Sequence, residues 1–220
     1  MDRQYDIVTF DCYGTLVDWE SGIAGAFIRA AAADGVELRR EDILREYARI
    51  EPEVEHEHYR PYREVLTEAA QRVARSLGWT TDGAFLSESL PSWLPFADTN
   101  PALERLRNAG YKLGVLSNID DDLFAETRRH FTVDLDLLVT AQQVRSYKPG
   151  HAHFNEARQR IGDARWLHAA QSNFHDVVPA NALGIPSAWV NPHGATALPG
   201  GTPTYEVREM AGLAELLAPH

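Results

Sequence analysis

The feature that most constrains this chain is a set of short apolar runs with little polar alternation: Ile7 to Phe10, Leu113 to Leu116, Leu135 to Thr140, Trp166 to Ala170 and Pro186 to Val190. A strand with one wet face alternates, whereas a run without alternation reads as a strand buried on both faces. Between the runs lie segments of helical period, Pro101 to Ala109, Leu123 to His130, His151 to Ile161 and Val177 to Leu183, often closed by glycine at Gly110, Gly162 and Gly184. Strand alternating with helix predicts a parallel α/β sheet.

One stretch breaks that rhythm. From about Asp18 to Pro95 there is no buried-strand run, only helical patterns around Gly22 to Ala33, Glu41 to Ile50, Tyr62 to Leu77 and Asp82 to Leu90. The expected organisation is a Rossmann-like α/β core formed by residues 1–16 and 96–220, with an all-helical cap of residues 17–95 inserted after the first strand. Pro91 and Pro95 punctuate the far border. Asn191 to Tyr205, rich in proline and glycine, reads as a loop.

Composition narrows the function. The net charge of −11, from 32 acidic and 21 basic residues, repels phosphate backbones, so no nucleic-acid partner is expected. No apolar run approaches the roughly 20 residues that cross a bilayer. The opening residues Met1-Asp2-Arg3-Gln4-Tyr5-Asp6 lack a secretion profile, and the single cysteine, Cys12, cannot form an intrachain disulfide, so the expected compartment is the cytoplasm. The charged stretch from Glu51 to Tyr62, with His56 and His58, reads as a solvated helix face rather than a metal site. Tyr59, Arg60, Tyr62 and Arg63 suit closure over a carboxylate substrate, core packing or a subunit interface.

Open parallel sheets bind ligands beyond the carboxyl ends of their strands. Four polar clusters stand there: Asp11-Cys12-Tyr13-Gly14-Thr15-Leu16, Ser117-Asn118, Tyr147-Lys148-Pro149 and Gln171-Ser172-Asn173-Phe174-His175-Asp176. A carboxylate at a strand end, followed by a glycine turn, presents an oxygen nucleophile that can form and lose an ester, which points to Asp11. Lys148, one of only two lysines, supplies a fixed positive charge; Thr15, Ser117 and Asn118 offer neutral donors, and Asp176 can orient Lys148 or activate water. Each also has a plainer reading as a turn, capping or surface residue.

Phe10-Asp11-Cys12-Tyr13-Gly14-Thr15-Leu16 resembles the first motif of the haloacid dehalogenase superfamily in its (S)-2-haloacid dehalogenase branch. Leu116-Ser117-Asn118, Tyr147-Lys148-Pro149 and Ser172-Asn173 with Asp176 resemble the second, third and fourth motifs in order. The resemblance implies attack by Asp11 on carbon 2 of a short 2-haloacid, loss of halide, and hydrolysis of the ester to a 2-hydroxy acid without cofactor or metal. It implies Asp11, Thr15, Ser117, Asn118, Lys148, Asn173 and Asp176 as catalytic residues. Cys12, Tyr13, Arg49 and His175 are the expected substrate contacts, although a buried structural thiol is the alternative for Cys12. Arg45, Arg60 and Arg63 are the other candidates for an arginine facing the site. His175 stands where the family often has tryptophan, making the pocket wall more polar.

Phosphatases of the superfamily carry an aspartate two residues after the nucleophile and an acidic pair in the last motif that holds Mg²⁺. Here these places hold Tyr13 and Ser172, which argues against phosphoryl transfer. A Mg²⁺-dependent phosphatase and a binding protein on the same scaffold are the competing functions. Members of the family commonly pair as homodimers, and the aromatic residues of the insertion permit one.

Overall fold

The computed structural model describes residues 3–219, and of His56 the backbone only. The readings made on Met1, Asp2 and the His56 side chain lie outside the described residues. In chain order the elements are β1 (Ile7–Phe10), α1 (Trp19–Ala33), α2 (Arg40–Glu57), α3 (Tyr62–Ser76), α4 (Ala84–Ser89), a 3-10 turn (Leu90–Ser92) and α5 (Thr99–Asn108). There follow β2 (Lys112–Ser117), α6 (Asp121–Arg128), β3 (Leu137–Thr140), α7 (Ala141–Val144), α8 (Ala152–Ile161), β4 (Trp166–Ala170) and a π turn (Asn173–Val177). The chain ends with α9 (Val178–Ala182), β5 (Ser187–Val190), β6 (Tyr205–Val207) and α10 (Met210–Leu217).

Among the described residues the strands form one sheet in the order β3-β2-β1-β4-β5-β6, every pair parallel. The chain moves outward from β1 to β2 and β3, then returns to β4 on the other side of β1. That reversal makes the carboxyl end of β1 the switch point where such sheets bind ligands. All four residues of β1 are buried, as are all five of β4 and all four of β5, in keeping with their apolar sequences. The register sets Thr9 beside Gly114 on one neighbour and His168 on the other.

Two compact units divide the chain: Met1–Val17, Pro95–Asn118 and His130–His220 form one, and Asp18–Leu94 with Ile119–Arg129 form the other. The second unit is helical and differs from the expected insertion of 17–95 by gaining a segment from beyond β2. Asp120 ties that segment to α3: its two carboxylate oxygens accept the backbone N–H groups of Tyr62 (2.8 Å) and Arg63 (2.9 Å), the first donors of the helix. A carboxylate from a distant segment thus caps a helix whose own preceding residue, Pro61, supplies no side-chain cap. Arg63 also pairs with Asp122 at 2.6 Å.

Three local expectations need correction. Helix α2 runs through Pro52 to Glu57 rather than ending near Ile50, and its charged half is not wholly solvated, because Val54 and Glu55 are buried. The region read as loop ends in β6, a three-residue strand at the sheet edge that carries too little pattern to be read. Helix α10 follows it. No helix among the described residues is long and apolar enough to cross a membrane.

Candidate active site

The carboxyl end of β1 shapes the first part of the site. The Asp11 N–H continues the ladder to the Ala169 carbonyl at 3.1 Å, after which the Cys12 carbonyl accepts from the N–H groups of Thr15, Leu16 and Val17 and folds the chain into a tight loop. Gly14 sits in that loop at φ 97°, a conformation that side chains strain to adopt. The loop returns Thr15 over the strand end, where its hydroxyl donates to Asp11 Oδ2 at 3.0 Å and accepts from the Gln171 N–H at 2.9 Å.

Lys148 is fully withdrawn from solvent and uses all three ammonium protons: Nζ donates to Asp11 Oδ1 (2.9 Å), Asp176 Oδ1 (2.6 Å) and the Leu116 carbonyl (2.8 Å). The Asn118 side chain aligns it. Its Oδ1 accepts from the Lys148 N–H at 2.8 Å, and its Nδ2 donates to the Lys148 carbonyl at 3.2 Å, imitating a strand pairing. Asn118 therefore bonds the backbone of the lysine. Ser117 is buried beside it; its carbonyl accepts from His153 Nε2 at 3.1 Å, and its Oγ has no hydrogen-bond partner among the described residues.

The third part follows β4. Ser172 caps the π turn: its Oγ accepts from the His175 N–H at 3.1 Å and lies 3.0 Å from His175 Nδ1. Single π turns recur at functional sites. This one aims Asp176 inward, where Oδ1 accepts from both Lys148 and His168 Nε2 (3.0 Å) while Oδ2 is buried with no hydrogen-bond partner among the described residues. Asn173 departs from expectation. Its Nδ2 donates to the Gly201 carbonyl at 2.8 Å and its Oδ1 accepts from the Leu198 N–H at 3.1 Å, so its amide clamps the loop before β6. A Cβ on Gly201 would collide with Asn173 Oδ1, so a larger residue there would displace the clamping amide.

Charge in the site is unevenly shared. Burial pushes the Asp11 carboxyl up and the charge of Asp176 adds to this, outweighing the pull of Lys148 and Thr15. Burial acts on Asp176 too, but Lys148 and the hydrogen bond from His168 overcome it and hold Asp176 well below the usual carboxylate range. Burial opposes the charge on Lys148, yet the two carboxylates outweigh that and keep it an ammonium ion. His153 is pushed down to about 3 by burial and by Lys148, and so stays neutral. Burial and the charge of Asp11 raise the Cys12 thiol well above its usual value, making it inert.

The structure therefore brings Asp11, Thr15, Lys148 and Asp176 together through direct bonds, with Asn118 behind the lysine. Cys12 is fully buried, so the expectation that it contacts substrate gives way to the alternative of a structural thiol. Tyr13 and His175 are half-buried at the rim, and Phe174 beside His175 is exposed. Arg49, expected to contact substrate, pairs with Glu46 (2.9 Å) and Glu53 (3.7 Å) along α2 with its side chain 55% exposed. Arg45 is similarly engaged with Asp42 and Glu46, and Arg63 with Asp122. Arg60 is the more withdrawn, its Nη2 donating to the Val54 carbonyl and to Glu57. His168 was missed by sequence reasoning; a histidine inside an otherwise apolar strand run was the available signal.

A strand-end carboxylate bound to a buried lysine stands at the switch point of this parallel sheet, the place where a Rossmann-like enzyme binds its ligand. The chain belongs to the haloacid dehalogenase-like hydrolases, whose family profile it matches over residues 5–178. It is 28% identical over 219 residues to an (S)-2-haloacid dehalogenase of Pseudomonas putida, covering 96% of both chains. It is 26% identical over 226 residues to a haloacetate dehalogenase of Moraxella sp. strain B, covering 98% of this chain and 99% of that one. In fold it is similar to the L-2-haloacid dehalogenase of Xanthobacter autotrophicus solved with chloropropionic acid covalently bound, with a TM-score of 0.81, 22% identity, and coverage of 96% and 98%.

Proposed function

We propose that this chain hydrolyses short 2-haloacids, of the haloacetate or 2-halopropionate class, to 2-hydroxy acids through an ester on Asp11. In the first half-reaction an Asp11 carboxylate oxygen attacks carbon 2, a C–O bond forms, and the C–X electron pair leaves with the halide. In the second, water attacks Asp11 Cγ and the bond from Cγ to the ester oxygen breaks. One water proton passes by way of Asp176 to the departing alkoxide, and the other leaves when Asp11 ionises again. Lys148 favours the ionised form of Asp11 against the effect of burial for the first step, and Thr15 orients it.

The observation that carries this reading is the charge set of the site. A halide leaves without a proton, and Tyr13 supplies no carboxylic acid where phosphate esters would need one. Ser172, at the place of a second metal-binding carboxylate, has its hydroxyl engaged by His175. Among the described residues no group of three or more His, Cys, Asp or Glu side chains could hold a metal ion. The named activities of the similar dehalogenases support the substrate class. Cytoplasmic residence and a homodimer belong to the same reading, the second to be settled by sedimentation.

The test is halide release from a panel of 2-haloacids, run with a chelator and with Asp11→Asn as control. Release by the wild type alone is the expected outcome. A silent panel sinks the reading, and phosphate-ester hydrolysis that appears with magnesium and vanishes with chelator would replace it.

A further inference from the structure

Behind Asp176 lies a chain of hydrogen bonds that neither half-reaction has yet used. The parallel register sets Thr9 on β1 beside His168 on β4, and Trp166 lies two residues before His168 on the same strand face. Trp166 Nε1 and Thr9 Oγ1 are 2.7 Å apart, Thr9 Oγ1 and His168 Nδ1 2.8 Å, and His168 Nε2 and Asp176 Oδ1 3.0 Å. Thr9, Trp166, His168 and Asp176 are all buried, and the Phe154 ring from α8 meets the imidazole edge-on at 5.1 Å.

Donor arithmetic gives the chain one direction. An indole nitrogen can only donate, so Trp166 donates to Thr9 Oγ1. The threonine hydroxyl then turns its own proton to the next acceptor in the chain, His168 Nδ1. An acceptor at Nδ1 puts the ring proton on Nε2, which faces an ionised carboxylate that can only accept. With His168 and Lys148 both on Oδ1, the buried Oδ2 is the oxygen of Asp176 left uncommitted among the described residues.

We propose that His168, held as its Nε2–H tautomer by Thr9 and Trp166, is a positioning residue for ester hydrolysis: it locks Asp176 through Oδ1 so that Oδ2 takes the proton of the attacking water. This rests on the dehalogenase reading for the reaction served, but the tautomer is a property of the resting protein. The first half-reaction needs only Asp11, Lys148 and Thr15, so His168 separates the two halves. The groups facing this pair are Lys148 and Asp11 on the side of Asp176, and Thr9, Trp166, Phe154 and the neutral His153 on the side of the imidazole.

The experiment compares His168→Phe, which removes the donor, with His168→Gln, which keeps an N–H near the Nε2 position. For His168→Phe the first-turnover halide burst persists, the protein accumulates an ester visible by mass spectrometry, and steady turnover slows roughly 10- to 100-fold, the worth of one hydrogen bond to a charged group. Loss of the donor also moves the acidic limb of steady turnover to higher pH, because that hydrogen bond lowers the Asp176 carboxyl. His168→Gln recovers most of the rate. In parallel, ¹⁵N-histidine NMR of the wild type reads the His168 tautomer directly, expected as Nε2–H. A ring protonated on Nδ1 or on both nitrogens, burst and turnover falling together without ester, or a glutamine variant no better than phenylalanine each overturns the proposal. A wild type that releases no halide fails the dehalogenase reading instead, and the NMR arm still decides the tautomer.

Discussion

Two carboxylates share one ammonium ion at the strand ends, and the sharing has opposite consequences for the two. Asp11 is raised, so its ionised form costs folding stability above that raised value and the cost disappears as pH falls through it. Asp11→Asn, which leaves Lys148 and Asp176 paired one to one, is expected to raise the melting temperature while abolishing turnover. Asp176 is lowered, so its contribution is present above the ordinary carboxylate value and is lost as pH falls through the folded one; Asp176→Asn is expected to lower the melting temperature. Asp176 is also among the causes that raise Asp11, so Asp176→Asn should shift the acidic limb of the halide burst to lower pH. Calorimetry and rapid-quench halide assays check both signs, and equal melting shifts for the two variants would refute the unequal sharing. Asp11, Lys148 and Asp176 were legible because each directly ends or closely follows a buried run. His168 was not, because its role depends on the register that sets Thr9 beside it, and register is a property of the folded sheet.

Helix α3 shows how an element can depend on a residue far along the chain. Its first two N–H groups bond to Asp120, which is buried, so removing the carboxylate takes away the acceptor of both. Asp120→Ala should cost about 1–2 kcal/mol of stability, at the upper end of capping effects because the site is buried. Thermal unfolding of this variant tests it, and an unchanged midpoint would mean that water satisfies both groups. In α1, Gly22 is held by packing, since a Cβ there would collide with Cγ of the rigid Trp93 ring. The core strands and most helices could be read from periodicity, since their burial matches it. The reach of α2 through Pro52 could not: proline ordinarily ends a helical pattern, and the buried Val54 and Glu55 continue this one instead.

At the scale of the whole molecule, a net charge of −11 faces a proposed substrate that is itself an anion. Repulsion of this kind slows encounter and is screened by salt, with a Debye length of about 30 Å at 0.01 M falling to about 8 Å at 0.15 M. We therefore expect kcat/KM for a haloacetate to rise with ionic strength over that range while kcat stays level. A fall with salt would reveal a local cationic funnel that outweighs the overall charge.

The placement of Ile119–Arg129 in the helical unit also bears on how this protein can be recombined with its relatives. A chimaera that exchanges the continuous stretch 18–94 transplants α3 without the carboxylate that seats its first turn. Synthesis imposes the same order, since α3 emerges from the ribosome long before Asp120 does. The natural module for grafting is therefore discontinuous, two segments separated by α5 and β2, and both must travel together for the transplanted helices to keep their footing.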